Sequence, residues 1–267
     1  MRRPSEGERY DMPVVFGRSN LPNVSTIDRI KTLALSFTTE AGALAPFIPY
    51  HFALPESDTP VVTISSSMNI GVDHMGGRQY NVVRVMTDVV ARGSDGTTFT
   101  APYHLVIWEN ATAPIIAGRE FQGYAKVAAE IPDHEAGETG GRFRLLDYGT
   151  ELLSGEIHAA EPVPLGAGAE ETPAIAVGWK YIPGPGNIAD VDYPTRLVAY
   201  RKVLSMRRGT GELRLGAPDW QASPISSRII EALRSLPVIE MKPAVMTEAT
   251  SRLARDEVER IPSLGSG

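Results

Sequence analysis

Cysteine is absent from the 267 residues, which excludes a disulfide framework, a thiolate zinc site and a cysteine nucleophile. Positive charge is in deficit: the formal net charge is −6, and no basic stripe points to nucleic acid. No window holds the roughly 18 uncharged apolar residues of a membrane span. The opening Met-Arg-Arg-Pro-Ser-Glu-Gly-Glu lacks the apolar stretch of a secretion signal. The expectation is a cytoplasmic protein without nucleic-acid or membrane partners. Motifs are missing too. Gly71, Gly76 and Gly77 do not build a phosphate loop, and no Gly-x-Ser-x-Gly elbow is present. The histidines, at 51, 74, 104, 134 and 158, form neither His-x-His nor His-Glu-x-x-His, so no metal is expected. Lysine is scarce. Of 26 basic residues only Lys31, Lys126, Lys180, Lys202 and Lys242 are lysines. Lysine can lose its proton and act as a nucleophile where arginine cannot, so each of the five merits inspection.

What is present is ordinary globular composition, 42% hydrophobic and 22% charged, with enough chain for one large core. Residues 1–28, rich in Pro, Ser and Asn, read as an irregular arm, and 29–267 as a single domain. Strands are expected over 32–37, 60–68, 80–91, 97–108, 142–146, 151–160, 174–182, 197–206 and 238–245, from alternation and β-branched content. Asp95-Gly96 marks a hairpin turn and Tyr148-Gly149 a second reversal. Pro, Gly and Glu make 161–172 a loop, and Gly209-Thr210-Gly211-Glu212 reads as another turn. Short helices are expected over 39–44 and 110–117, an amphipathic one over 226–236, and a final charged helix over 248–261. Helix–strand alternation is missing, which disfavours a parallel doubly wound sheet. The fold class is α+β, a mainly antiparallel, barrel-like sheet with peripheral helices.

Lys126 stands apart from the other lysines. Its chain neighbours are Gly123, Tyr124, Ala125, Val127, Ala128 and Ala129, all uncharged. An amine held in apolar surroundings loses its charge more readily and can attack a ketone to form an imine. Local composition alone leaves open a structural lysine that extends its amine to solvent.

The segment Gly118-Arg119-Glu120-Phe121-Gln122-Gly123-Tyr124-Ala125-Lys126, preceded by Ala113-Pro114-Ile115-Ile116-Ala117, resembles the active-site segment of the acetoacetate decarboxylase family. Leu146-Asp147-Tyr148-Gly149 and Leu236-Pro237-Val238-Ile239-Glu240-Met241 resemble two further landmarks of that family in the same order, so the likeness spans about 29–248. It implies a cone-like antiparallel β-barrel, a homo-oligomer, and Lys126 as the Schiff-base lysine, with no cofactor beyond that covalent imine. It also implies Arg29 as a carboxylate-binding arginine and Tyr80 as a substrate contact.

Three positions depart from the pattern. Val127 replaces a second lysine, Ala125 replaces a proline, and Tyr80-Asn81-Val82 lacks the family's glutamate. Gln122 is a neutral polar group suited to orient a substrate carbonyl or hydroxyl. Members with such a glutamine resemble aldolase-dehydratases. The implied activity is therefore a lyase that condenses pyruvate, or a similar small 2-oxo acid, with an aldehyde. Decarboxylation of acetoacetate or another β-keto acid is the alternative. A non-catalytic small-molecule binder on the same fold is the third reading.

Overall fold

The computed structural model describes residues 4–11, 13–166 and 170–265. Among them twelve strands join one sheet. β1 (Val24–Thr38), β2 (Val61–Val72), β3 (Arg78–Arg92) and β4 (Thr98–Glu109) form an antiparallel meander. α1 (Ala41–Leu44) lies between β1 and β2, and α2 (Thr112–Ala117) follows β4. Then come β5 (Lys126–Ala128), β6 (Glu135–Ala136), β7 (Gly141–Asp147), β8 (Thr150–Pro162), β9 (Thr172–Pro183) and β10 (Ala189–Leu215). α3 (Ser226–Arg234), β11 (Glu240–Met241) and β12 (Ala244–Arg260) complete the chain.

β12 pairs with both β1 and β10, so the sheet wraps back on itself through β1-β2-β3-β4-β9-β10-β12. The β4–β9 seam is a single parallel register pair, Tyr103 with Val177. The result is a large mixed sheet that is barrel-like without closing into a regular barrel.

Several expectations change. The final helix expected over 248–261 is the strand β12. Its charges read as a solvated helix, but pairing along both edges, to β1 and to β10, satisfies its backbone and fixes a period of two. Gly209-Thr210-Gly211-Glu212 is no turn either: it runs inside the long β10, where it passes from pairing β12 to pairing β8. β1 begins at Val24, inside the stretch read as an arm. Residues 167–169 of the expected loop lie outside the described residues, and 161–162 belong to β8. The two hairpin turns form where Asp-Gly and Tyr-Gly stand: Gly96 has φ 84° and Gly149 φ 75°.

One face of the β1–β4 meander is packed by β7, β8 and α3. Leu35, Phe37, Ile64, Val85, Trp108 and Phe143 are buried there with Ile230 of α3. The Trp108 indole N–H, which must find an acceptor when buried, donates to Ser226 Oγ at 2.9 Å. Period-two alternation then sends Ile107 and Glu109, on either side of Trp108, to the opposite face.

Two predictions follow from this packing. Ser226→Ala leaves the Trp108 N–H without a partner and should lower unfolding free energy by about 1–3 kcal/mol in urea titration. The second concerns His134, whose Nε2 meets Ser66 Oγ at 2.8 Å and whose pKa is pushed down to about 4, mainly by burial. The unfolded chain takes up that proton near pH ~6.5. Between about 6.5 and about 4 the unfolded state therefore binds more protons, and stability falls as pH drops through that window. The fall should be shallower in His134→Gln, measured as urea midpoints against pH.

Candidate active site

Lys126 opens β5, which runs parallel to the end of β4 with Ile107 opposite Lys126. The chain reaches it through α2 and a π-helical turn over Gly118–Gln122. Gly123, at φ 79°, turns the backbone out of that helix in a conformation that favours glycine. Gly118 is needed for space: a Cβ there would stand 2.7 Å from Lys126 Nζ and overlap the end of its alkyl chain. The guanidinium of Arg119 donates to the Lys126 carbonyl at 2.9 Å and ties the turn to the strand.

Lys126 is 7% exposed, and it alone of the five lysines is buried. Its Nζ donates to Glu109 Oε1 at 2.7 Å and to the Pro114 carbonyl at 2.9 Å. Glu109 is 2% exposed, and its Oε2 has no hydrogen-bond partner. Taking both charges of such a pair from water costs several kcal/mol each, so the pair is a poor stabiliser. A buried pair with one oxygen left unsatisfied is a candidate functional site.

Lys126 and Glu109 line a cavity of about 270 Å³. Alternate residues of β3 form one wall: Tyr80, Val82, Arg84 and Met86. On β4 the face changes parity. Val85 and Met86 of β3 pair with Val106 and His104, which leaves Leu105 as an extra residue. This bulge lets Pro102 and His104 share a face with Ile107 and Glu109. Leu197, Ala199 and Arg201 of β10 and Ser251 and Leu253 of β12 supply the far wall, and Gln122 and Tyr124 come from the segment before Lys126.

Burial dominates the electrostatics. It pushes the Tyr80 and Tyr124 phenols well above their ordinary range, so both remain hydroxyl donors. It also holds His104 far below its usual pKa, helped by the charges of Arg84, Arg201 and Lys126, so the imidazole is neutral, and its Nδ1 has no partner. Arg84 is lowered by desolvation. Arg201, exposed at the cavity's edge, is lowered to about 10 by desolvation first and then by Arg84.

Of the four residues singled out in the sequence, Lys126, Tyr80 and Gln122 meet around this cavity and Arg29 does not. Arg29 is exposed on β1, where a register shift between Ile27 and Ile30 against β12 breaks the alternation that brings Ser25 and Ile27 to the cavity. Arg84 and Arg201 are the cavity's arginines instead. A second correction concerns charge. The absent glutamate near Tyr80 and the uncharged neighbours of Lys126 imply an amine without a carboxylate, and Glu109 places one in contact with it. Alternation from Tyr80 along β3 was the signal for Arg84. Glu109 carried none, because its nearness to Lys126 depends on the parallel β4–β5 pairing. Lys180 faces away, toward a recess shared with Glu120 and Phe121. Among the described residues no cluster of His, Asp and Glu could hold a metal, and no helix is long and apolar enough to cross a membrane.

The arrangement is similar to known folds. The structure of an acetoacetate decarboxylase from Legionella pneumophila aligns with TM-score 0.70 at 17% identity, covering 90% of this chain and 88% of that one. Another acetoacetate decarboxylase structure gives 0.74 at 15% identity, with 97% of both chains covered. The enduracididine biosynthesis enzyme MppR, complexed with pyruvate, gives 0.68 at 12% identity over 96% of this chain and 99% of its own. MppR has also been solved with the condensation product of pyruvate and imidazole 4-carboxaldehyde. No curated protein matches significantly in sequence. The family model for acetoacetate decarboxylase matches residues 11–259. With that match spanning nearly all of its length, the chain belongs to the acetoacetate decarboxylase family.

Proposed function

We propose that this protein is a lyase that forms a Schiff base between Lys126 and a small 2-oxo acid, and condenses it with an aldehyde. The observation that carries the reading is the buried contact of Lys126 Nζ with Glu109 Oε1, beside an unsatisfied Oε2. Glu109 takes a proton from the Lys126 ammonium, and the free amine attacks the keto carbon. Glu109, now a carboxylic acid, returns the proton to the carbinolamine oxygen, which leaves as water. The iminium then acts as an electron sink. Glu109, again a carboxylate, takes a proton from the adjacent carbon and leaves an enamine. The enamine carbon attacks the aldehyde, the new alkoxide is protonated, and loss of water gives an unsaturated oxo acid after hydrolysis of the imine. Tyr80, Tyr124 and neutral His104 are hydrogen-bonding groups within reach of these oxygens, and Gln122 orients the second carbonyl. The MppR complexes with pyruvate and with a pyruvate–aldehyde condensation product support the substrate class.

One observation favours a second reading, decarboxylation of a β-keto acid. The same iminium accepts the electron pair of a breaking C–C bond, and Glu109 supplies the carboxylate that the strand at Tyr80 lacks. Carbon dioxide release from acetoacetate at a turnover on the order of 10 per second would establish this reading over condensation.

Borohydride reduction in the presence of pyruvate, read by intact and peptide mass, tests the imine. The adduct should map to Lys126, vanish in Lys126→Ala and Lys126→Arg, and persist in Lys180→Ala. The arginine variant keeps a cation beside Glu109 but cannot form the imine. Labelling that survives both Lys126 variants contradicts the assignment, and no adduct with any oxo acid favours a binder. Gln122→Ala should keep the pyruvate adduct and slow aldehyde condensation about tenfold, the scale of one lost polar contact. Unchanged condensation kinetics would remove Gln122 from the site.

A further inference from the structure

We propose that the oxo acid handled at Lys126 carries a second carboxylate, and that Arg84 and Arg201 each bind one carboxylate. This inference rests on Lys126 as the imine-forming residue.

The cavity's formal charges do not cancel. Lys126, Arg84 and Arg201 face one carboxylate, Glu109, and that carboxylate already contacts Lys126. Among the described residues neither arginine forms an ion pair, and Arg84 Nε is buried without an acceptor. Beyond desolvation, the charge of Arg84 lowers Arg201, and both arginines add to burial in keeping His104 neutral. Arg84 is half-buried and Arg201 reaches the same cavity from an exposed position, so an anion entering the cavity gains two cationic partners. A guanidinium presents a planar fork of donors that matches a carboxylate in pairs, so two forks suit two carboxylates.

The positions fit a molecule bound at both ends. Arg84 stands opposite Ile107, and Ile107 stands opposite Lys126. Two strand spacings, roughly 10 Å of backbone, therefore separate Arg84 from Lys126 on one face of the sheet. Arg201 comes from the other side, on β10, paired with Ser251 of β12. Along the sheet β4 and β9 lie between the two arginine-bearing strands. A substrate joined to Lys126 thus meets one guanidinium from each wall. The volume of about 270 Å³ equals roughly nine waters at ~30 Å³ each, more than pyruvate fills and enough for a molecule the size of 2-oxoglutarate.

Calorimetry with two ketone-free probes reads the anion count without imine chemistry. Glutarate should bind at least about tenfold tighter than butyrate, and the ratio should fall to about one in Arg84→Met and in Arg201→Met. In borohydride trapping, 2-oxoglutarate should reach half-maximal labelling at a concentration at least about tenfold below pyruvate. Equal affinities for glutarate and butyrate, or a ratio that survives both arginine variants, overturns the proposal and leaves the imine reading standing. A glutarate preference with no trapping of any oxo acid overturns the imine reading and keeps the two-anion cavity, so the two failures are distinguishable.

Discussion

The buried contact between Lys126 and Glu109 is the constraint around which the rest of the site is arranged. It joins two ionisable groups that sequence separates by seventeen positions, both largely removed from solvent. Three features must coincide for it to exist. β5 must lie parallel to the end of β4, so that Lys126 stands beside Ile107 and next to Glu109. Gly118 must lack a side chain, because the lysine stem occupies that space. The bulge at Leu105 must turn the last residues of β4, so that Glu109 faces the cavity while Trp108 faces the core. Trp108 is in turn held by Ser226 of α3, which links the peripheral helix to the position of the carboxylate.

The cavity also separates its ionisable groups by role. Desolvation keeps Tyr80 and Tyr124 protonated and His104 neutral, so these three donate or accept hydrogen bonds without adding charge. Among the described residues the other ionisable groups lining it are one lysine, one glutamate, two arginines and His74, whose ring meets Ser25 Oγ. Such a set is what the proposed proton transfer and anion binding require. A site lined only by apolar groups around a lone lysine would provide for neither.

Much of this was legible in the sequence, and the failures have physical causes. Alternation and turn chemistry gave the strands, and the Gly118–Lys126 segment singled out Lys126 before any contact was visible. Tyr80 and Gln122, named from the sequence, line the same cavity as Lys126. β12 was misread because isolated propensity cannot see that two neighbouring strands claim its backbone. Arg29 was misplaced because a one-residue shift in register flips a side chain to the other face, and the irregularity between Ile27 and Ile30 leaves no mark in composition. Glu109 was invisible for a related reason. Its partner is reached through a parallel pairing across α2 and a π-helical turn, and nothing in Trp108-Glu109-Asn110 announces it.

The account stands on Glu109 exchanging a proton with Lys126, and Glu109→Gln tests that most directly. Glutamine preserves the shape and an acceptor oxygen for Nζ but cannot take up the proton. The measurement is the single-turnover rate of imine formation with pyruvate, by rapid mixing and borohydride quench followed by intact mass. The account predicts that the final labelled fraction is reached but its rate falls by roughly a hundredfold or more, the scale of a lost general acid–base group. A Glu109→Gln protein that forms the imine at the wild-type rate would contradict it.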